Sequence, residues 1–270
     1  RFGGRLKAFV SGGAPLPVEV GTFFTALGVR ILQGYGQTET APVVSCNRPG
    51  HVRMDAVGQP LDGVEVRIAG DGEILIRGEL VMQGYWRDPG TTAAAIDAEG
   101  WLHTGDVGVI DADGAIRITD RKKDIIVNSG GDNVAPQRIE SFLTLQPEIA
   151  QAMVHGDRRP HLVALIVPDR DWMEDWARAN GRSGCDGLDQ DAEFRRAIAP
   201  AVDRVNAQLS AVEKVRRFTL TIDPFTVENG MMTPTLKIRR HKIREGFGAT
   251  LEGLYDDKKQ PGDHPNVTAR

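Results

Sequence analysis

Three successive patterns of apolar and polar positions divide the chain. In the first, residues 6–10 read as a strand, residues 18–27 as a helix preceded by Pro15 and Pro17 and stopped by Gly28, and residues 29–32 as a second strand. The first strand, Leu6-Lys7-Ala8-Phe9-Val10, is apolar enough to be expected buried. A helix between two strands makes those strands parallel. The loops at Ser11-Gly12-Gly13-Ala14 and at residues 33–40 are then expected together at the carboxyl edge of a sheet, where open α/β sheets bind ligands. In the second pattern, residues 64–68 and 73–77 alternate around Gly70-Asp71-Gly72, and residues 107–110 and 115–119 around Asp113-Gly114, which predicts two hairpins in a small β-rich body. In the third, Pro136 opens a helix through Phe142, strands follow at residues 149–154 and 161–167, helices at 171–179 and 192–209 flank a polar loop at 181–187, and a strand runs over 218–222.

Between the second and third patterns lies Asp120-Arg121-Lys122-Lys123-Asp124, five charged residues between β-branched runs, followed by Gly130-Gly131. This stretch reads as a hinge with a binding loop attached, because paired glycines let backbone approach a ligand closely. The expected organisation is α/β and α+β. Residues 1–55 form part of a parallel α/β subdomain, 56–120 a small β-rich subdomain, and 121–270 a mobile α+β domain with a helical insertion.

Composition narrows the function. A chain of 270 residues has room for two bodies, and 33 basic against 37 acidic side chains leave a net charge of −4, with no nucleic-acid footprint. Cys46 and Cys185 lie far apart, which argues against a disulfide framework or zinc site and for a reducing cytoplasm. No apolar run reaches the roughly 18 to 20 residues of a membrane span, leaving surface attachment to a membrane open. Residue 1 is Arg and an apolar strand follows almost at once, so the chain is expected to be part of a longer protein.

Residue chemistry picks out a few positions. In Gly34-Tyr35-Gly36-Gln37-Thr38-Glu39, the Thr38 hydroxyl suits a phosphate oxygen, Glu39 is a hard-oxygen ligand for Mg²⁺, and Tyr35 could stack on a base. Asp106 ends Trp101-Leu102-His103-Thr104-Gly105-Asp106 at the expected start of a strand, where a carboxylate either caps a turn or accepts both hydroxyls of a ribose diol. Trp101 and His103 read as packing residues, and Arg178, Arg182, Arg195 and Arg196 as a solvated helix face. Lys237 is one lysine among several basic neighbours.

The motifs Gly34-Tyr35-Gly36-Gln37-Thr38-Glu39, Ser11-Gly12-Gly13-Ala14-Pro15-Leu16, the run ending at Asp106, Asp120-Arg121-Lys122-Lys123-Asp124, and Thr233-Pro234-Thr235-Leu236-Lys237-Ile238-Arg239-Arg240 together resemble the adenylate-forming superfamily. That superfamily comprises acyl-CoA synthetases, firefly-type luciferases and peptide-synthetase adenylation domains. The resemblance implies that Gly13 and Ala14 line an adenine site beside Tyr35 and Gly36, and that Thr38 contacts phosphate and Glu39 helps hold magnesium. It further implies that Asp106 and Arg121 bind ribose, Lys123 is the pivot of a rotating carboxyl-terminal domain, and Gly130-Gly131 line a pantetheine tunnel. Lys237 is implied as the cation on the reacting carboxylate and α-phosphate.

Within the superfamily the hinge, the helical insertion and the Asn229-Gly230-Met231-Met232 ending look most like AMP-forming long-chain fatty acid–CoA ligases, which implies ATP, Mg²⁺, coenzyme A and a fatty acid. The Ser/Thr/Gly-rich phosphate loop is expected upstream of Ser11, so these residues by themselves are expected to be inactive. Two alternatives stay open: a fatty-acyl-AMP ligase loading a carrier protein, and a non-catalytic binding fragment of the same fold.

Overall fold

The computed structural model describes residues 3–256, which form two compact units, one ending at Asp124 and the other starting at Ile125. The first opens with β1 (Phe9–Ser11), α1 (Val18–Ala26) and β2 (Ile31–Tyr35), and β1 pairs parallel with β2, Phe9 opposite Ile31 and Ser11 opposite Gln33. The βαβ unit expected from the pattern is present, with two differences. The second strand continues through Gly34 and Tyr35, residues expected in the loop, because both pair antiparallel with β3 (Ser45–Cys46). No local pattern reports a partner ten residues away, and glycine argues against a strand interior. The first strand is exposed, Phe9 at 41% and Val10 at 70%, because β1 is the outer strand of its sheet and nothing among the described residues covers it. β4 (Gln59–Pro60) completes the order β1-β2-β3-β4.

The remaining strands of this unit are β5 (Glu65–Ile68), β6 (Glu73–Arg77), β7 (Leu102–Ile110) and β8 (Ile116–Arg121), an antiparallel meander in that order, with both expected hairpins in place. Between β6 and β7 lies α2 (Pro89–Ala95), which the pattern does not anticipate. Its signal is Asp88-Pro89: the Asp88 carboxylate accepts the Thr91 N–H at 2.9 Å, and proline fits the first turn. Ile74, Ile76 and Ile116 pack with Tyr35 and Val44, so one face of the meander closes over the end of β2. The β-rich segment therefore lies within the first unit, and β8 carries Arg121 into it.

The second unit begins with a two-stranded ladder, β9 (Ile126–Val127) and β10 (Asn133–Val134), and then α3 (Pro136–Thr144). Next come β11 (Ile149–His155), β12 (Leu162–Pro168), α4 (Arg170–Ala179), α5 (Ala192–Asn206), β13 (Val215–Leu220) and α6 (Arg240–Gly253). The sheet order is β11-β12-β13, with β11 antiparallel and β13 parallel to β12. Every residue of β12 is buried, and strand alternation explains how. Leu162, Ala164 and Ile166 face a core shared with Ile139, Phe194 and Ile198, while Val163, Leu165 and Val167 face another with Phe225, Ile243 and Leu251.

The last strand starts at Val215 rather than residue 218. The final helix, α6, is not anticipated because glycines at 246, 248 and 253 mask its stripe of Ile243, Phe247, Leu251 and Leu254. Arg178 pairs with Asp175, and Arg182 with Asp191 and Glu193, as on a solvated face. Cys46 and Cys185 are free thiols.

Candidate active site

Asp106 sits inside β7, not at its start, and the β7–β8 register places it opposite Arg121. Arg121 Nε donates to Asp106 Oδ1 at 2.8 Å, and Tyr35 Oη, reaching from the end of β2, donates to Oδ2 at 2.7 Å. The carboxylate is 5% exposed, and a mid-strand position removes the turn-capping alternative. Each carboxylate oxygen has a second acceptor position, so two donors orient Asp106 and leave it able to accept hydroxyls.

Tyr35 requires a correction. Its ring is 7% exposed and packs among Val44, Ile74, Ile76 and Ile116, which makes it a core side chain rather than a platform for a base. Its hydroxyl is what reaches the site. Burial first, and then the Asp106 charge, push its phenol far above the usual tyrosine range, so it stays a proton donor.

The loops after β1 and β2 lie side by side: a Cβ on Gly12 would stand 3.3 Å from the Gly34 carbonyl oxygen, and Gly13 and Ala14 follow in an exposed loop. Gly36 also departs from expectation. A Cβ there would stand 1.9 Å from the Pro42 carbonyl oxygen, so glycine is required by the chain's own backbone rather than by a ligand. Beyond it, residues Thr38–Thr40 form a single 3₁₀ turn, with the Thr38 side chain exposed.

Glu39 Oε1 accepts the Tyr85 hydroxyl at 2.9 Å, a bond that raises the Tyr85 phenol, and among the described residues no donor reaches Oε2. No group of three His, Cys, Asp or Glu side chains among the described residues could hold a metal. A lone carboxylate nevertheless fits Mg²⁺ in the way that ion is usually held, by one or two carboxylates together with substrate phosphates and water.

Glu73, at the start of β6, was not singled out by the motifs and proves central to this corner. It is 5% exposed, accepts the Gly105 N–H at 2.8 Å, and lies 3.1 Å from His103 Nδ1 and 3.2 Å from Lys122 Nζ. Its signal in the sequence is a carboxylate opening the apolar strand Glu73-Ile74-Leu75-Ile76. Burial alone would raise its pKa, but the hydrogen bonds from His103, the Gly105 amide and Lys122 outweigh that and hold it below the usual glutamate range. Lys122 Nζ also pairs with Asp71 at 2.6 Å, and its backbone N–H donates to the Gly105 carbonyl. Arg121 and Lys122 are thus fixed to the first unit, whereas the exposed Lys123 side chain has no hydrogen-bond or ion-pair partner among the described residues. The guanidinium groups of Arg67 and Arg77 both lie over the Trp101 ring, 4.3 and 4.5 Å from its centroid.

In the second unit, Gly130 and Gly131 occupy an exposed turn braced by Asn128, whose Oδ1 accepts the N–H groups of Gly130 and Asp132 at 2.9 Å each. Gly131 has φ of +86°, a value that favours glycine. Lys237 ends another exposed turn. Its carbonyl accepts the Thr233 N–H at 2.8 Å, its own N–H donates to Thr233 Oγ1 at 3.0 Å, and Leu236 takes φ of +59°. Its ammonium has no partner among the described residues.

The structure thus joins Tyr35, Asp106 and Arg121 directly, pairs Glu39 with Tyr85, and places Gly130, Gly131 and Lys237 on the second unit. Residues 1–86 match the family model for AMP-binding enzyme, and residues 123–259 match the AMP-binding enzyme C-terminal domain. The chain is 40% identical over 258 residues to long-chain-fatty-acid–CoA ligase FadD15 of Mycobacterium bovis, covering 94% of the chain and 43% of that protein. It is 36% identical over 270 residues to human long-chain-fatty-acid–CoA ligase 6, covering 94% of the chain and 39% of that protein. Among solved structures, the A domain of a carboxylic acid reductase from Segniliparus rugosus, in complex with AMP and a co-purified carboxylic acid, superposes with a TM-score of 0.76 at 27% identity, over 94% of this chain and 40% of that one. The chain therefore spans about two fifths of the length of the curated relatives it matches. With one family model on the first unit and its companion over the second, the chain belongs to the AMP-binding enzyme family.

Proposed function

We propose that the full-length protein is an AMP-forming long-chain fatty acid–CoA ligase, to which this chain contributes the ribose end of the nucleotide site, the hinge and the catalytic lysine. One observation carries the reading: identity of 40% to a bacterial and 36% to a human long-chain-fatty-acid–CoA ligase extends over 94% of the chain, and so through both units.

In the first half-reaction a fatty-acid carboxylate oxygen attacks the α-phosphorus of ATP and pyrophosphate leaves. In the second, the coenzyme A thiol attacks the acyl carbonyl and AMP leaves. Asp106, oriented by Tyr35 and Arg121, accepts the ribose hydroxyls. Thr38 donates to a phosphate oxygen, and Gly13 and Ala14 lie at the base. Glu39 would hold Mg²⁺, which when bound offsets charge on the phosphates. Lys237 places its ammonium against the reacting carboxylate and α-phosphate, where charge redistributes in the transition state. Lys123 is the pivot between half-reactions, and Gly130-Gly131 line the path of the pantetheine arm. Among the described residues no helix is long and apolar enough to cross a membrane, and peripheral contact with a cytoplasmic membrane surface would suit a lipid substrate.

The test is ATP–pyrophosphate exchange and CoA-dependent AMP release by the full-length protein across fatty acids of graded length. Exchange that rises with chain length, and AMP release that requires coenzyme A, are expected. Exchange with loading of a carrier protein but no thioester to coenzyme A would favour a fatty-acyl-AMP ligase, and no exchange with any acid would overturn the reading. The 270-residue chain assayed by itself contains no Ser/Thr/Gly-rich phosphate loop of the family kind, and is expected to form no acyl-adenylate from Mg-ATP and palmitate. Detectable turnover would show that the phosphate site lies within these residues.

A further inference from the structure

Lys237 belongs to a stretch, residues 225–239, whose one regular feature is a bridge between Met232 and Ile238, yet both ends of this stretch are fastened to the same strand. β11 is an outer strand with β12 on one side, so backbone groups on its other edge need partners from elsewhere. At one point Gln151 spans the gap: its Oε1 accepts the Phe225 N–H at 2.7 Å and its Nε2 donates to the Phe225 carbonyl at 3.0 Å. At another, the Val154 N–H donates to Glu140 Oε1 at 2.7 Å, and the Val154 carbonyl accepts from Arg240 Nη1 at 3.3 Å. Glu140 and Arg240 then join each other through two parallel bonds of 2.7 and 2.6 Å, with both side chains largely buried.

Between these anchors the Met232 N–H reaches the Thr226 carbonyl and the Arg239 N–H reaches the Met231 carbonyl, which narrows the neck below the Lys237 turn. Arg240 is the first residue of α6 and stands three positions from Lys237. On the carboxyl side of the lysine, Ile238 packs against the core of the unit, and the Arg240 fork is the nearest side-chain hydrogen bond to its body.

We infer that Glu140 and Arg240 are positioning residues for Lys237, fixing where the lysine turn leaves the second unit; this rests on the role of Lys237 proposed above. A buried carboxylate–guanidinium pair is weak evidence for stability, because apolar residues often replace one without loss. What a two-pronged pair does supply is fixed direction. Direction matters here because misplacing a reacting group by an ångström can cost about 10²-fold in rate.

The experiment compares K237A, R240M, R240K, E140Q and the double variant R240M/K237A in the full-length protein. Each is measured for ATP–pyrophosphate exchange, for conversion of supplied acyl-AMP to acyl-CoA, and for thermal unfolding. R240M is expected to lower the exchange kcat by roughly 10- to 100-fold with little change in KM for ATP, as for a displaced catalytic group. Thioester formation from acyl-AMP should stay within about twofold, as expected when the lost interaction belongs to the other step. R240K should recover part of the loss, and R240M should add nothing in the K237A background, because residues acting as a unit are not additive. If R240M does not fold, E140Q replaces it, since the amide oxygen still accepts the Val154 N–H while the carboxylate charge that faces Arg240 is lost. Equal loss in both half-reactions, full exchange activity, or a further loss on top of K237A would overturn the inference. Normal exchange by K237A would instead overturn the role of Lys237, and the inference with it.

Discussion

Asp106 is held from two sides by donors that differ in kind. Arg121 brings a charge across the strand pair, and Tyr35 brings a neutral hydroxyl kept protonated by burial and by the carboxylate itself. Removing the hydroxyl alone isolates its contribution. Tyr35→Phe keeps the ring among Val44, Ile74 and Ile116 and deprives a buried carboxylate of one donor. The expected cost is about 1.5 to 3 kcal/mol, the range for a hydrogen bond to a charged group. In the full-length protein this should appear as a lower unfolding temperature and a raised KM for ATP. An unchanged melting curve would show that the hydroxyl does not orient Asp106. The type of residue at each of these positions was legible in the sequence, and the meeting of Tyr35 with Asp106 was not, because 71 residues separate them and neither position's neighbours encode the other.

At the scale of elements, the β6–β7–β8 corner fixes the two residues that precede the proposed pivot. Glu73 receives a backbone amide from β7 and faces Lys122 just past the end of β8. Its pKa is lowered in the folded protein, so its contribution to stability is fully present above the unfolded value of about 4.3 and is lost as pH falls through the folded value. Glu73→Gln keeps an acceptor for Gly105 and removes the charge. Denaturant unfolding of the full-length protein should therefore find the variant less stable than the parent at pH 7, with the difference shrinking as pH falls below about 4.3. A difference independent of pH would mean that shape, not charge, is what Glu73 supplies. The hairpins flanking this corner were readable because turn glycines and alternation are local signals. The extension of β2 was not, since its strand character comes from a distant partner, β3, that overrides glycine.

For the whole molecule, the division after Asp124 lies one residue beyond Lys123, and among the described residues no hydrogen bond engages the Lys123 backbone N–H. A proline there removes no donor the fold uses, while fixing φ near −65° and restricting Lys122 as well. Lys123→Pro in the full-length protein is expected to form acyl-AMP at a near-normal rate and to release almost no acyl-CoA, because hinge residues must change their backbone dihedrals between states. Rapid-quench measurement of both products decides it. If both half-reactions proceed normally, the pivot lies elsewhere.

By itself the sequence determined the family, the two hairpins, the βαβ unit, the buried run that becomes β12 and the residue types available for chemistry. These follow from periodicity, turn residues and motifs, all of which act over a few positions. Tertiary structure alone decided that Tyr35 is a core residue, that Gly36 makes room for backbone, that Glu73 and Tyr85 attend the site, and that Glu140 meets Arg240 across 100 positions. Such pairings depend on which strand edge or helix end packs nearby, and local sequence carries no measure of that distance.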